Sequence, residues 1–303
     1  MKTLSWLLSL IALVSPCTGA EPAPLRFPDE QAAWAAIAAR FTGSPTVKSD
    51  SAKTTELAVS GLRGNAKGDG SASILIDKAS GHVLEVTSNG ANFRDEEFAH
   101  FAAFPELRAL TLWHNSDFTG TGLAKVAKLP NLQRITLAGG GLDDAGMAEA
   151  AKITTMRELR VWHAKFSDAG VAKLRGHPEL ESIKVGPSWA PTLTNKTLEH
   201  LAECPKLTKF GIAESWLTWK DGLEHLAKRK GQLTEVDLGN CIIDPADVER
   251  LRSELPGTKI IWGGPTAAAE ELKKSWLRSR AEQWIPKELI EKAIGGEKLK
   301  TES

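Results

Sequence analysis

Residues 132–147 decide the fold. They read Leu132-Gln133-Arg134-Ile135-Thr136-Leu137, then a short glycine turn, then Leu142-Asp143-Asp144-Ala145-Gly146-Met147. The first half puts apolar side chains at alternate positions, the period of a strand with one buried face. The second half supplies an apolar residue and then Asp143, a side chain that accepts from the free N–H groups of a first helical turn. Met147 and Ala150 follow on one face of that helix. Working outward, the strand pattern or a near variant recurs at 107–112, 156–161, 180–185, 207–212 and 233–238, about 25 residues apart. A fixed period of that length marks stacked copies of one strand–turn–helix unit, none of which buries its apolar face alone.

The helix signal recurs in step with the strand signal. The pairs Phe118-Thr119, Leu142-Asp143, Phe166-Ser167, Leu193-Thr194, Leu217-Thr218 and Ile243-Asp244 each place a capping residue after an apolar one. Each cap is worth about 1 kcal/mol. Pro245 then falls at the first helical position, where its missing N–H does no harm. Apolar residues four and seven places after most caps, such as Val171 and Leu174, give each helix one buried face. The units run 81–104, 105–129, 130–153, 154–177, 178–204, 205–229 and 230–255, and 256–262 begins a truncated last strand.

The units resemble the ribonuclease-inhibitor-like class of leucine-rich repeats, especially the versions found in exported bacterial proteins. The likeness rests on 132–137 with 142–147, and on 161–171, where Phe166-Ser167-Asp168-Ala169-Gly170 repeats the theme. It spans residues 81–262. The resemblance implies an α/β solenoid, a right-handed βα horseshoe arc with a parallel sheet on the concave side and helices on the convex side. It implies a binding module more than an activity, because fold does not fix function. The 178–204 unit departs from the pattern through Ser188-Trp189-Ala190-Pro191, which lengthens one loop.

Both ends are expected to be caps, since a stack exposes apolar surface at its ends. Residues 21–80 comprise a Pro-rich lead-in, a helix over 28–41 with Trp34, Ile37 and Phe41 on one stripe, a polar loop over most of 42–72, and a hairpin of 73–76 with 82–86. Within the loop, 57–59 is a possible short strand. Residues 263–303 are expected to be a helical cap and tail.

Lys2 and the apolar run 4–14 read as an export signal, with Thr18-Gly19-Ala20 supplying small residues for cleavage after Ala20. The alternative is a lipid anchor on Cys17, although Pro16 departs from the small residue such signals want. The chain is thus expected in the periplasm or outside the cell, and no later stretch is apolar enough to span a bilayer. Lys plus Arg and Asp plus Glu both number 38. That balance argues against nucleic-acid binding and a polybasic membrane patch. Cys204 and Cys241 remain after cleavage; buried free thiols are the simpler reading, and a disulfide the alternative.

Alternation also identifies the open, concave positions, and two aromatics stand out there. Trp113-His114 and Trp162-His163 occupy equivalent places two units apart, with Ala138-Gly139-Gly140 between them. With strands ~4.8 Å apart, the indoles are expected roughly 10 Å apart over a small-residue floor. One reading is a slot for a flat group (a sugar ring, an aromatic side chain, a proline-rich peptide) flanked by Arg134 and Arg160, with Trp189 on the nearby loop. The other, simpler reading is that the pairs pack the strand-to-loop corner and cap loop carbonyls. Glu235 and Asp237 are expected to pair with Lys209. Leu198-Glu199-His200 and its copy Leu223-Glu224-His225 read as a solvated outer face, and His82, His100 and His177 as structural. Asn195-Lys196-Thr197 is a formal glycosylation sequon of low specificity. No catalytic motif, metal-ligand spacing or phosphate loop is present, so neither metal nor cofactor is expected. The sequence therefore points to an exported, non-catalytic module binding a protein or glycan ligand. The competing classes are a structural envelope protein and the targeting arm of an enzyme with its active site in the N-terminal segment.

Overall fold

The computed structural model describes residues 25–63, 70–187 and 192–264. The expected leader with Cys17 and Ala20, the glycine cluster at 64–69, the Trp189 loop and the C-terminal cap from 265 onward lie outside those residues.

The fold is mixed α/β, with one 11-stranded sheet whose strands lie side by side in chain order. The first four are β1 (Thr46–Asp50), β2 (Thr54–Ser60), β3 (Ser71–Asp77) and β4 (Val83–Asn89). They pair antiparallel. The sheet turns parallel at β4 and continues through β5 (Ala109–Trp113), β6 (Arg134–Ala138), β7 (Glu158–Ala164), β8 (Ser182–Pro187), β9 (Lys209–Ile212), β10 (Glu235–Asp237) and β11 (Lys259–Ile261). The crossovers carry short helices: α2 (Phe98–Ala102), α3 (Leu123–Val126), α4 (Asp144–Ala150), α5 (Asp168–Val171), α6 (Asn195–Leu201), α7 (Glu224–Ala227) and α8 (Pro245–Glu254), with α1 (Pro28–Ala38) ahead of the sheet. Neighbouring helices touch in the same order as the strands.

Register follows from the alternation. Leu110, Ile135, Leu159, Ile183, Phe210 and Val236 stand side by side on adjacent strands, all at most 2% exposed. A second inward row holds Leu112, Leu137, Val161, Val185 and Ile212. The helix residues Leu123, Met147, Val171, Leu198, Leu223 and Val248 close over these rows, and one apolar cluster runs from Leu25 to Leu255. Burying each large aliphatic side chain contributes ~1.5–3 kcal/mol, and no single unit could assemble these contacts alone.

Two expectations need correction. The described residues of 42–72 are not mostly loop, because β1 and β2 form an antiparallel pair there. β1 is exposed along its whole length and carries no apolar alternation to betray it. Cross-strand polar contacts, Lys48 and Ser49 to Glu56 and Thr55 to Asp50, accompany the pairing. The capping pattern also holds at only four of its six positions. Asp143, Ser167, Thr194 and Asp244 accept from backbone N–H groups of the turn they open. Thr119 accepts from Thr121 N–H only at 3.5 Å, and α3 starts later, at Leu123; the carboxylate of Asp95 from the preceding unit accepts from Gly120 and Gly122 N–H. Thr218 precedes a widened turn over Trp219–Leu223, where Asp221 has φ +57°, and its hydroxyl donates to the Lys220 carbonyl.

Asp95 belongs to a series of rungs between units. Asp144 accepts from the N–H and hydroxyl of Ser167, and Asp168 from those of Thr194 and from the Thr197 hydroxyl. Asn195 accepts from Thr218 N–H and donates to its hydroxyl and to the Lys220 carbonyl. The sequon asparagine is therefore tied into this series. Asp95 is partly buried, which opposes ionisation, but N–H groups of Gly122, Thr119 and Gly120 and the Thr119 hydroxyl outweigh that and hold its carboxyl below the ordinary value.

Candidate functional site

The residues of β4 to β8 that face away from the helices make the open face. Its first row is Glu85, Ala109, Arg134, Glu158 and Ser182; its second is Thr87, Thr111, Thr136, Arg160 and Lys184. Asn89 pairs with Trp113, and Ala138 with Trp162, which pairs with Gly186. Continuing the β5–β6 register by one residue sets Trp113 beside Ala138. The two tryptophans thus share a column with one strand between them, roughly 10 Å at ~4.8 Å per strand.

Their surroundings differ. Trp113 is 37% exposed, one of three large apolar side chains among the described residues that stand out to that degree. Trp162 is half-buried. A Cβ on Gly186 would lie 2.7 Å from Cε3 of its indole, so glycine is what lets the ring lie down over β8. The indole is therefore turned from the β6 side and does not stand as a wall facing Trp113. Lys184 Nζ lies 4.8 Å from the Trp162 ring centre and pairs with Asp237.

At or near the C-terminal ends of the strands runs a column of left-handed backbone: Gly90, His114, Gly139, His163, Glu214 and Asn240, with φ between +50° and +80°. Pro187 interrupts it, because its ring holds φ near −65°. β8 therefore stays extended through Pro187, which pairs with Ala164, and His163 is left over as a bulge. Glycine adopts this conformation freely, whereas other residues are held there at about 1 kcal/mol or more each. Both histidines are exposed, and a side-chain oxygen lies near one ring nitrogen of each. His114 Nδ1 lies 2.7 Å from Asn89 Oδ1, and His163 Nε2 lies 3.3 Å from Oε1 of Glu214, itself 3% exposed.

The arginines expected to flank the pair are engaged along the face. Arg134 pairs with Glu85 at 2.5 Å, and Arg160 with Glu158 at 2.6 Å. Glu235 pairs with Lys259 and Asp237 with Lys184, so Lys209 is not the partner expected for them. Glu235 has a lysine directly across on each neighbouring strand, Lys209 on β9 and Lys259 on β11, and sequence order could not rank them. Trp189, the remaining candidate, lies outside the described residues. Sequence reading missed Asn89 and Glu214; the signal available for Asn89 was its alignment with Trp113 once β4 is placed as the first parallel strand.

A second concavity of about 720 Å³ lies beside α1 and α2, with Phe27, Glu30, His82 and His100 among alanines on its walls. Glu30 is 1% exposed and accepts from Val83 N–H at 2.8 Å; its other oxygen lies 2.6 Å from His82 Nδ1. Phe27 stacks on that imidazole at 3.8 Å. These groups pin α1 to the start of β4. His177 is buried, bonded through Nε2 to the Ile153 carbonyl, and burial lowers its pKa. Cys204 and Cys241 are free buried thiols bonded to the Leu174 and Ile212 carbonyls. Among the described residues, no group of three His, Cys, Asp or Glu is placed to hold a metal ion, and no helix is long and apolar enough to cross a membrane.

No protein-family model matches the chain, and no curated protein matches it in sequence.

Proposed function

We propose that the chain is an exported, non-catalytic interaction module of the leucine-rich repeat type, a solenoid that holds a ligand on the open face of its sheet. The 24–27-residue period and the in-register parallel strands with a helix in each crossover support the repeat reading. The export reading rests on the leader pattern of residues 1–20. The observation that carries the binding reading is Trp113. It is a large indole held 37% exposed on a rigid strand, beside the fixed Asn89–His114 pair and the small Ala138. Sites built on strands keep their geometry, and an exposed aromatic with oriented polar neighbours is a common recognition anchor.

The test compares the two faces. Chain lacking residues 1–20 is immobilised and incubated with envelope extract from the source organism. Trp113→Ala with Trp162→Ala is set against a helix-side change, Arg175→Ala, which removes only exposed pairs to Glu199 and Glu203. Retention lost only with the tryptophan changes, at unchanged melting temperature, is the expected outcome. Retention that survives them but falls with Arg175→Ala would move the contact to the helix side and favour a structural envelope role.

A further inference from the structure

We infer that the open face takes a neutral, hydroxyl-rich glycan chain lying across the strands and stacked on Trp113 and Trp162. The inference rests on the binding function proposed above and names the ligand class for that site.

Three observations converge on this chemistry. The first is spacing. Two strand intervals, roughly 10 Å, separate the backbone positions of the tryptophans, and the Trp162 indole reaches further along the same line over β8. An extended β-linked chain crossing the strands would meet Trp113 with one pyranose ring and Trp162 with a later one. The C–H faces of pyranose rings stack on indole by dispersion and weak C–H contacts. The second is relief. Ala138 stands between the tryptophans, and Gly186 lets the Trp162 ring lie along the sheet. A ribbon-shaped ligand crossing there passes over small groups between the indoles, with Lys184 Nζ 4.8 Å from the Trp162 ring centre at the far end. Hydrogen-bonding groups surround the strip, with Thr111, Thr136 and Arg160 along one side, His114 along the other and Asn89 at its β4 end. A sugar chain likewise carries hydroxyls on both edges. The backbone tolerates Gly90 and Gly139 in the left-handed column, yet the units bearing the two tryptophans carry histidine there.

The third observation is charge. The ionic groups of this face pair with one another: Arg134 with Glu85, Arg160 with Glu158, Lys184 with Asp237. Paired charges leave little field to steer or hold a charged partner. A protein partner would also need a desolvated apolar centre. On this face Trp113 is the large apolar side chain that stands exposed; the other two, Phe27 and Val47, precede the parallel strands.

The test is titration calorimetry of the chain lacking residues 1–20 with hexasaccharides of β-1,4-linked glucose, mannose and N-acetylglucosamine, together with co-sedimentation on insoluble cellulose and chitin. At least one should bind, with an affinity insensitive to salt. Trp113→Ala and Trp162→Ala should each weaken it about tenfold or more, and Trp113→Phe less, because a smaller ring still stacks. Melting curves establish that each variant is folded; should Trp162→Ala fail to fold, the Trp113 variants decide alone. Saccharide binding undiminished in folded Trp113 variants overturns the inference. So does failure of every saccharide to bind. If envelope protein is then retained in a Trp113-dependent way, the glycan assignment falls and the binding role stands. If nothing is retained through this face, both fall.

Discussion

Replacing Asp168 by alanine tests whether the rungs between units stabilise the stack. Its carboxylate accepts the Thr194 N–H at 3.0 Å, the Thr194 hydroxyl at 2.6 Å and the Thr197 hydroxyl at 2.7 Å. Thr197 is fully buried. Hydrogen bonds to a charged acceptor contribute ~1.5–3 kcal/mol each in mutational series, but these three do not add. The Thr hydroxyls can rotate toward other acceptors, and the half-buried site lets water reach the Thr194 N–H. The net loss for Asp168→Ala is therefore about 2–3 kcal/mol, and for Asp168→Asn, which keeps one acceptor oxygen, about 1 kcal/mol. Urea unfolding followed by far-UV circular dichroism gives both values from the shift in midpoint. A cycle with Thr194→Ala should give a coupling of about 1 kcal/mol. A loss below ~0.5 kcal/mol for Asp168→Ala, or strict additivity with Thr194→Ala, would refute the claim that the rung couples one unit to the next.

Three further outcomes follow from the same geometry. Asp95 has a folded-state pKa below its unfolded value, so its contribution is present above about pH 3.8 and is lost as pH falls through the folded value; Asp95→Asn should flatten that part of the acid limb of a stability–pH curve, and an unchanged limb would remove the assignment. Gly186→Ala places a Cβ 2.7 Å from Trp162 Cε3 and should destabilise by about 1–3 kcal/mol while red-shifting indole emission; equal or greater stability would mean the ring does not lie on that glycine. Burial pushes the Cys241 thiol up to about 12 and raises that of Cys204, so the native chain should resist iodoacetamide at mildly alkaline pH and react in urea; rapid native labelling of either would contradict their placement.

The parallel strands were legible because alternation is a local property. Leu132, Ile135 and Leu137 point inward whatever their neighbours are, since a pleated strand turns successive side chains to opposite faces. The same logic found the inward stripes of α4, α5, α6 and α8. It failed at β1, where Thr46 to Asp50 are all exposed and carry no apolar rhythm. It failed at Thr119 and Thr218 for another reason. At Thr119 the carboxylate of Asp95, from the preceding unit, takes the Gly120 and Gly122 N–H groups, and after Thr218 the turn widens with Asp221 left-handed; neither shows in the local pattern.

What the sequence determined alone is the period, the row each side chain occupies and the column shared by Trp113 and Trp162. Those follow from chain geometry and the exclusion of apolar surface from water. Tertiary structure alone decided the partners: Asp168 with Thr194, Lys184 with Asp237, Asn89 with His114, and the indole of Trp162 laid on Gly186 rather than toward Trp113. Several neighbouring rotamers can satisfy one sequence pattern, and only packing against the adjacent strands selects among them.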